Sequence, residues 1–352
     1  MADGHQGQGW TSRWGFLLAT VGSAVGLGSI WKFPYMVGEN GGGAFVFVYL
    51  LALAAIVFPV LLAEFVIGRA GGKSAVGSLQ GIAARHGGTR AWGLLGLWSI
   101  IAGFLILSFY SVIGGWTIAY IPLAAQGAFH GQSGESVTAI FNGLLANPNR
   151  LILFHGIFMA LTAGTVSLGI TNGLERAVTI LMPLLFVIMI GLVAFAAATT
   201  GLGKAAAFMF TPDFSKITPQ IVLDAIGLGF FSISVGMGVM ITYAAYTGRE
   251  INLTEIAVAT IAGDTFVSFL AGFAIFPLVF AYNLDPAGGP GLMFVTLPVA
   301  FAQMEWGTIV GAAYFILLLV SALASALSLL ELIVSYAVER NVNRVVAALG
   351  GG

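Results

Sequence analysis

The sequence predicts an all-α membrane protein that crosses the bilayer many times and contains two broken helices. Hydrophobic residues make up 59% of its 352 residues and charged residues only 8%, whereas soluble domains carry about 25% charge. Small residues interrupt two of the apolar segments, at Gly22–Ser29 and at Ser232–Gly238. Backbone at bilayer depth must find partners for its freed N–H and C=O groups, so breaks occur only where protein, water or a bound solute supplies them. Two breaks in corresponding halves of a chain indicate the binding site of a secondary transporter.

Eight segments are apolar enough to span a bilayer, which takes roughly 20 residues. We number them segments 1 to 8, and they cover residues 14–37, 42–68, 91–123, 151–170, 175–199, 219–247, 252–281 and 303–338. The loops expected outside the cell are 124–150, 200–216 and 282–302. Segments 1 and 6 each open one half of the chain and run in opposite directions, which predicts an inverted repeat. The predicted parts are an N-terminal tail, a first repeat, a partial second repeat and a C-terminal tail, at residues 1–13, 14–200, 217–338 and 339–352.

Basic residues predict the orientation, because cytoplasmic loops carry an excess of Lys and Arg. With the N-terminus inside, the cytoplasmic side receives Arg13, Arg69, Lys73, Arg85, Arg90, Arg176, Arg249, Arg340 and Arg344. The outer side receives Lys32, Arg150, Lys204 and Lys216. This imbalance predicts a multi-pass protein of the inner (cytoplasmic) membrane with both termini in the cytoplasm. A net charge of −1 leaves no basic surface suited to nucleic acid, and the absence of cysteine excludes disulfides and thiolate metal sites.

Glu64 lies late in segment 2, where a charged group costs about 3 kcal/mol or more unless it faces a partner. One interpretation is that its carboxyl caps amides freed at a helix break. The other is that the side chain reaches the inner interface or pairs with Arg69. The sequence leaves both interpretations open.

Asp264 lies within segment 7, beside Thr265 and in a segment without a basic residue. A bound cation is therefore a natural partner for this carboxylate. The alternative is a protonated Asp264 that is hydrogen-bonded in a dry core.

Two further interpretations fit parts of the pattern. The spacing of Gly22 and Gly26 is also typical of closely packed helices, although packing does not require the third glycine, Gly28, so soon after them. Asp224 and Asp264 could form an aspartyl protease dyad. Asp224, however, is expected at the outer end of segment 6, away from Asp264, so this interpretation is disfavoured.

Several motifs resemble those of the neurotransmitter:sodium symporter family. In the first half they are Trp10–Ala19, Gly22–Tyr35, Glu39–Phe45, Glu64–Arg69, Ser108–Trp116, Gly173–Arg176 and Met182–Pro183. In the second half they are Phe230–Gly238, Ile241–Tyr246 and Ser325–Glu331. The resemblance covers nearly the whole chain and is strongest for the bacterial branch that moves hydrophobic amino acids. It implies a leucine-transporter-like fold in which an amino acid lies between broken helices 1 and 6.

The resemblance also implies a substrate site. Its residues would be Ala24, Gly26, Leu27, Gly28, Ile106, Tyr110, Phe231, Ser232, Ser234, Gly236, Met237, Ser325 and Leu329. The substrate carboxylate would meet the amides near Leu27 and Gly28 and the Tyr110 hydroxyl. The ammonium would meet the carbonyls of Ala24 and Phe231. The apolar side-chain pocket implied for this chain favours Leu, Met, Phe or Trp-like substrates.

Sodium is the coupled ion that the resemblance implies. The first sodium site maps onto Ala24, Ser29, Ser232 and Asp264, and the second onto Gly22, Val25, Ser321, Ala324 and Ser325. Gate roles fall on Lys32, Tyr110, Phe231 and Glu339. The arginine that usually partners the acid at 339 falls on Gly7 in this chain.

This chain departs from the family pattern at three of these positions. Ser29 and Asp264 stand where Asn is usual, so a fixed negative charge lies beside the first sodium. Animal members hold a chloride close by, at a position matching Ser268. Because Asp264 can supply that charge instead, the sequence predicts chloride-independent transport. Ala324 replaces a Thr or Ser whose hydroxyl binds the second sodium, which weakens the case for that site.

The family has twelve helices, and the resemblance covers only the first eight, so the fold is expected to be truncated after helix 8. A truncated product, or a compact variant completed by forming a homo-oligomer, would account for this. The expected function is sodium-coupled symport of hydrophobic or aromatic L-amino acids by alternating access, with no enzymatic activity. The alternative is a member that binds amino acid and sodium without transporting them. The expected partners are the amino acid, Na+ and the lipid bilayer.

Overall fold

The computed structural model describes residues 9–352, and within that range every regular element is a helix. Segments 2, 3, 4, 5, 7 and 8 are the long helices Gly43–Gly71, Arg90–Ala125, Pro148–Ser167, Ile170–Ala197, Leu253–Ala281 and Gly307–Glu339. By length and composition these six can each cross a membrane. The predicted all-α, polytopic class is therefore confirmed.

Segments 1 and 6 are broken where the small residues occur. Segment 1 consists of Arg13–Ala24 and Gly28–Glu39, which meet at an angle of 44° and together are long enough to form a seventh span. Its second half begins with a π-helical turn, Gly28–Lys32. Segment 6 divides into Pro219–Ile233 and Val239–Ala245, each shorter than a bilayer span. Segment 6, although predicted as one span, is therefore a pair of short helices.

Local sequence sets where several helices begin. A Ser, Thr or Asn side chain precedes the first helical residue and accepts the N–H of a residue two or three positions further on. This arrangement is found at Ser12, Ser74, Ser133, Asn147, Thr218 and Asn252. Proline follows directly at Pro148 and Pro219, where its missing N–H costs nothing and its fixed φ favours the helix.

The segments predicted as loops also contain helices. The loops expected outside the cell include Gly134–Leu145, Leu202–Phe210 and Thr296–Ala302. The connection between segments 2 and 3 includes Ala75–Arg85, and the C-terminal tail includes Arg344–Gly351. Helices this short draw most of their stability from tertiary packing rather than from propensity, which is why hydropathy alone did not identify them.

Segment 8 lies at the centre of the bundle and segments 4 and 5 at its edge. In the most apolar stretch of each helix, 78% of the residues of segment 8 are buried, compared with 28% in segments 4 and 5. Segment 8 packs against segments 1, 3, 4 and 5, and segment 2 runs along both halves of segment 6. The two breaks are therefore enclosed by the protein and do not face the lipid.

Candidate functional site

The second break is a run of left-handed backbone supported by an acid from segment 2. Ser234, Gly236 and Gly238 have φ values of 58°, 82° and 75°, a region that glycine enters without steric cost. Oε1 of the buried Glu64 accepts the freed N–H of Gly236 at 2.6 Å. Arg69 instead donates to the carbonyl of Ile251 at 2.6 Å. Of the two interpretations of Glu64, the structure therefore has the one in which its carboxyl caps the break.

The first break is held by a tyrosine of segment 3. The N–H of Leu27 donates to the Tyr110 hydroxyl at 2.9 Å, and Tyr110 is only 3% exposed. Gly26 lies directly beside this hydroxyl, and a Cβ there would overlap Ser325 Oγ and crowd the Tyr110 oxygen. A Cβ on Gly28 would lie 2.8 Å from Cα of Ser232. The glycines therefore let the two breaks and segments 3 and 8 approach closely.

The packing interpretation of the glycine spacing applies to Gly22 alone. A Cβ at Gly22 would lie 3.3 Å from Met182 Sδ and 3.4 Å from a methyl of Val178, both on segment 5. Gly26 faces segments 3 and 8 instead, because the helix ends at Ala24. Gly22 therefore allows close packing against segment 5, whereas Gly26 allows close packing against segments 3 and 8.

The carboxylate of Asp264 lies where the two breaks meet. Its Oδ1 accepts hydrogen bonds from Ser232 Oγ, at 2.9 Å, and from Ser29 Oγ. Its Oδ2 accepts from the Tyr49 hydroxyl at 3.2 Å. Asp264, Ser29 and Tyr49 are fully buried. Within residues 9–352 no basic side chain forms an ion pair with this carboxylate.

The four residues expected at the first sodium site are thus neighbours. Ser29 Oγ also lies 3.3 Å from the carbonyl oxygen of Ala24 and 3.1 Å from Ser232 Oγ. The cluster offers a carbonyl, two hydroxyls and a carboxylate, and hard cations prefer oxygen ligands of these kinds. Tyr49 is an additional member that the sequence did not identify, because one hydroxyl in an apolar segment has no distinguishing pattern.

The hydroxyls expected at the second sodium site have other partners. Ser321 Oγ donates to the carbonyl of Leu318 at 2.9 Å, and Ser325 Oγ donates to the carbonyl of Ser23 at 3.1 Å. Ala324 is buried and adds no side-chain oxygen. The side-chain hydroxyls of this set therefore bind backbone carbonyls, whereas those of the first set bind the Asp264 carboxylate.

A cavity lies between the two breaks. Its lining consists of Ser23, Ala24, Gly26, Gly28, Ile106, Tyr110, Phe231, Ser232, Ser234, Met237, Ser325 and Leu329. Of the thirteen expected substrate residues, only Leu27 and Gly236 are not in it, and their amides bond to Tyr110 and Glu64. Ser23 is a lining residue that the sequence missed. The open volume is about 10 Å³, roughly the space for one water, so an amino acid requires the walls to separate.

Of the expected gate residues, Tyr110 and Phe231 line this cavity, and Lys32 and Glu339 do not. The Nζ of Lys32 lies 4.4 Å from the centre of the Phe231 ring. Glu339 accepts the N–H of Ser74 at 3.1 Å and also its hydroxyl, and it lies 4.0 Å from the Nζ of Lys73. Gly7, where the family's arginine would fall, lies outside the described residues. Glu339 thus has partners on the segment 2–3 connection that the sequence did not predict.

Another buried acid, Glu331, joins several elements. Glu331 is fully buried and forms an ion pair with Arg344 of the C-terminal helix. Tyr246, at the end of segment 6, donates to Glu331 Oε1 at 2.9 Å, and Arg344 Nε donates to the carbonyl of Val166 at 2.9 Å. The sequence gave no sign of this pairing, because Arg344 follows a turn in the predicted C-terminal tail.

Asp224 lies apart from Asp264. Its Oδ1 accepts from Gln220 Nε2 at 2.9 Å on the same helical stretch. None of the contacts among residues 9–352 joins Asp224 to Asp264. The two acids therefore form no dyad in this structure.

Comparison with known proteins places the chain among sodium-dependent transporters. The sequence profile of the sodium:neurotransmitter symporter family matches residues 7–131 and 149–347. The chain is 39% identical to the sodium-dependent transporter YhdH of Bacillus subtilis over 326 residues, covering 93% of this chain and 71% of YhdH. It is 35% identical to a sodium-dependent transporter of Haemophilus influenzae over 349 residues, covering 95% of this chain and 75% of the relative.

A solved structure has the same fold. The crystal structure of MhsT in complex with L-phenylalanine matches with a TM-score of 0.90 at 44% identity, covering 98% of this chain and 78% of MhsT. The match confirms the leucine-transporter-like architecture with two broken helices. The expected truncation after helix 8 stays a prediction.

Proposed function

Because the chain belongs to the sodium:neurotransmitter symporter family, we propose that it couples the movement of sodium to the uptake of hydrophobic or aromatic L-amino acids. Members of this family are sodium-coupled membrane transporters and not enzymes, which leaves the substrate and the ion requirements of this chain to be established. The proposed mechanism is alternating access, in which the site between the two breaks opens to each side of the membrane in turn.

One observation carries the proposal: Asp264 is a fully buried carboxylate between the two breaks, and its hydrogen-bond partners are hydroxyls. An unpaired buried charge is strongly unfavourable, and sodium would neutralise it. Ser29 and Ser232 now donate to the carboxylate. With sodium in place, the same hydroxyls can rotate and direct lone pairs at the ion, since a hydroxyl is both donor and acceptor.

Sodium and the amino acid would stabilise each other in this site. The substrate carboxylate would approach the Tyr110 hydroxyl, which already accepts the Leu27 N–H and has its own proton to donate. The family's arrangement places that carboxylate beside the first sodium as well. Sodium would then raise amino-acid affinity, and linkage requires amino acid to raise sodium affinity by the same factor.

The proposed substrate class rests on the lining and on MhsT. Ile106, Phe231, Met237 and Leu329 contribute apolar side chains to the lining of the cavity, and burying an apolar side chain there contributes roughly 1.5–3 kcal/mol. MhsT was crystallised with L-phenylalanine. These facts favour substrates such as Leu, Met, Phe and Trp.

We also propose that transport is independent of chloride and that a second sodium binds weakly or not at all. Asp264 supplies a fixed negative charge beside the first sodium, so a chloride is not needed to balance it. Ser321 and Ser325 donate to backbone carbonyls, and Ala324 lacks an oxygen.

A vesicle assay with independently varied gradients tests the proposal. Purified protein is reconstituted, and uptake of labelled Leu, Phe and a charged amino acid is followed while sodium, chloride and proton gradients are changed one at a time. The expected result is uptake of Leu or Phe that requires sodium and persists in chloride-free buffer. Sodium-dependent binding in detergent without uptake would instead select the non-transporting alternative, and uptake driven by protons alone would refute sodium coupling.

A further inference from the structure

Three arginines surround a cavity at the Arg69 end of segment 2, away from the amino-acid site. The cavity has a volume of about 640 Å³. Its lining consists of Val66, Arg69, Ala70, Ile82, Arg85, His86 and Arg249. The arginines come from segment 2, from the helix Ala75–Arg85 and from the connection after segment 6, so the fold gathers them from three separate elements.

The positive charges in this cavity have no carboxylate to balance them. No Asp or Glu contributes to the lining, and none of the three arginines forms an ion pair within residues 9–352. Arg69 donates to the carbonyl of Ile251 at 2.6 Å, and Arg85 donates to the carbonyl of Ala70 at 2.7 Å. Arg249 forms neither an ion pair nor a hydrogen bond to a carbonyl with the described residues. Each guanidinium has five N–H donors, so most of them are available to a ligand.

Guanidinium groups in this arrangement suit a phosphate. They bind the paired oxygens of phosphate in a two-pronged geometry and hold their charge at every physiological pH. A phosphate group has several oxygens and can therefore bind donors from three elements. A single carboxylate or chloride would contact fewer of these donors. The backbone contacts of Arg69 and Arg85 hold those two side chains in place before a ligand arrives.

An exposed apolar stripe leads from this cavity along the outer face of segment 2. Its residues are spaced by three or four positions and are Ile56, Pro59, Ala63, Val66 and Ala70. Val66 is 51% exposed and also lines the cavity. The charged cavity therefore meets a lipid-facing surface at the end of a membrane span, the depth at which phospholipid headgroups lie. Basic pockets between membrane helices are known to hold anionic headgroups.

We propose that the cavity of Arg69, Arg85 and Arg249 binds the phosphate of an anionic phospholipid, with an acyl chain lying along the stripe on segment 2. A soluble phosphate shares the headgroup chemistry but lacks the acyl chain. The stripe favours the lipid as the source of that phosphate.

Native mass spectrometry of the purified chain tests this proposal with phosphatidylglycerol and phosphatidylcholine added separately. The expected result is retention of phosphatidylglycerol in preference to phosphatidylcholine. Arg249→Gln should weaken that retention roughly fivefold, as expected for loss of one basic contact, and Arg85→Gln should do so as well. Arg249 has no contact to lose, so its variant is expected to fold. Arg90→Gln is the control, because Arg90 has the same charge, is exposed and does not line the cavity.

The outcomes are distinct. Equal retention of both lipids, or unchanged phosphatidylglycerol retention in the Arg85→Gln, Arg249→Gln double variant, would overturn the proposal. A thermal-unfolding series separates the two sources of phosphate. Phosphatidylglycerol in mixed micelles is expected to raise the unfolding midpoint, and inorganic phosphate at equal concentration is not. An equal rise with inorganic phosphate would overturn the lipid assignment. None of these readouts depends on amino-acid transport.

Discussion

Ser29 and Ser232 belong to different broken helices, yet their hydroxyl oxygens lie 3.1 Å apart and both donate to the same oxygen of Asp264. The two breaks are therefore connected through one carboxylate as well as through close backbone contact. A ligand that replaces the two hydroxyls at this carboxylate therefore changes the hydrogen bonding of both broken helices at once. The predictions below follow from this arrangement and from the buried contacts around it.

Asp264→Asn should weaken sodium activation of uptake by about tenfold or more, because a contact to a charged group contributes roughly 1.5–3 kcal/mol, or should make transport require chloride. The measurement is the sodium concentration for half-maximal uptake in proteoliposomes, with and without chloride. Asp213→Asn is the matched control, since its carboxylate is exposed and contacts Ser215, away from the site. A fully active, chloride-free Asp264→Asn protein would contradict the proposed role of this charge.

Tyr49→Phe should raise the sodium concentration for half-maximal uptake about fivefold, since the hydroxyl that contacts Asp264 Oδ2 at 3.2 Å is lost and such a bond contributes roughly 1 kcal/mol. At saturating sodium the amino-acid affinity should return close to the wild-type value. Tyr282→Phe, at a partly exposed tyrosine away from the site, should change neither quantity. A Tyr49→Phe protein with unchanged sodium activation would exclude Tyr49 from the ion site.

Gly26→Ala should abolish amino-acid binding, because the added methyl would overlap Ser325 Oγ and crowd the Tyr110 hydroxyl. Binding of labelled Leu or Phe to the purified protein measures this directly. Gly191→Ala adds the same methyl to segment 5 at a place with no atom within 4 Å, and it should bind normally. Wild-type affinity in Gly26→Ala would show that the amino acid lies elsewhere.

Ala324→Thr should tighten sodium activation if the second set of residues can form an ion site, because it restores a hydroxyl oxygen. Ala324→Val has nearly the same shape without the hydroxyl and is the control. The expected result is a lower half-activating sodium concentration and a steeper sodium dependence in the Thr variant alone. The same response in both variants, or in neither, would mean that this site is not used.

Arg344→Gln should destabilise the protein by about 3–5 kcal/mol, because it leaves the carboxylate of Glu331 buried without its partner. Thermal unfolding in detergent gives the shift in midpoint. The double variant Glu331→Gln, Arg344→Gln should recover much of the loss, since it removes both charges. Arg340→Gln, whose guanidinium lies 4.2 Å from the Tyr336 ring, should have a much smaller effect, and an equal effect would argue against the buried pair.

The parts of the site that could be predicted from the sequence are the groups whose burial without a partner is energetically unfavourable. An acid in hydrocarbon and a broken helix both need partners, so Glu64, Asp264 and the two breaks were recognisable. The loops were not, because their helices are short and depend on packing.

Partners contributed by distant residues were also missed. Tyr49 reaches Asp264 across 215 positions of sequence, and nothing in its surroundings marks it. Glu339 was expected to lack a partner at Gly7, whereas Ser74 and Lys73 lie beside it. Local patterns identify groups that need a partner, but only the fold identifies the partner.

Segment 2 contributes to both the ion cluster and the second break. Tyr49 contacts Asp264, and fifteen residues later Glu64 holds the amide of Gly236, a separation of about 22 Å along a helix. Segment 2 therefore fixes the distance between the Asp264 carboxylate and the break in segment 6. If the second half of segment 6 swings away, segment 2 must move with it or lose one of these hydrogen bonds. Segment 2 carries no expected substrate ligand, yet it influences which parts of the protein can move as one body.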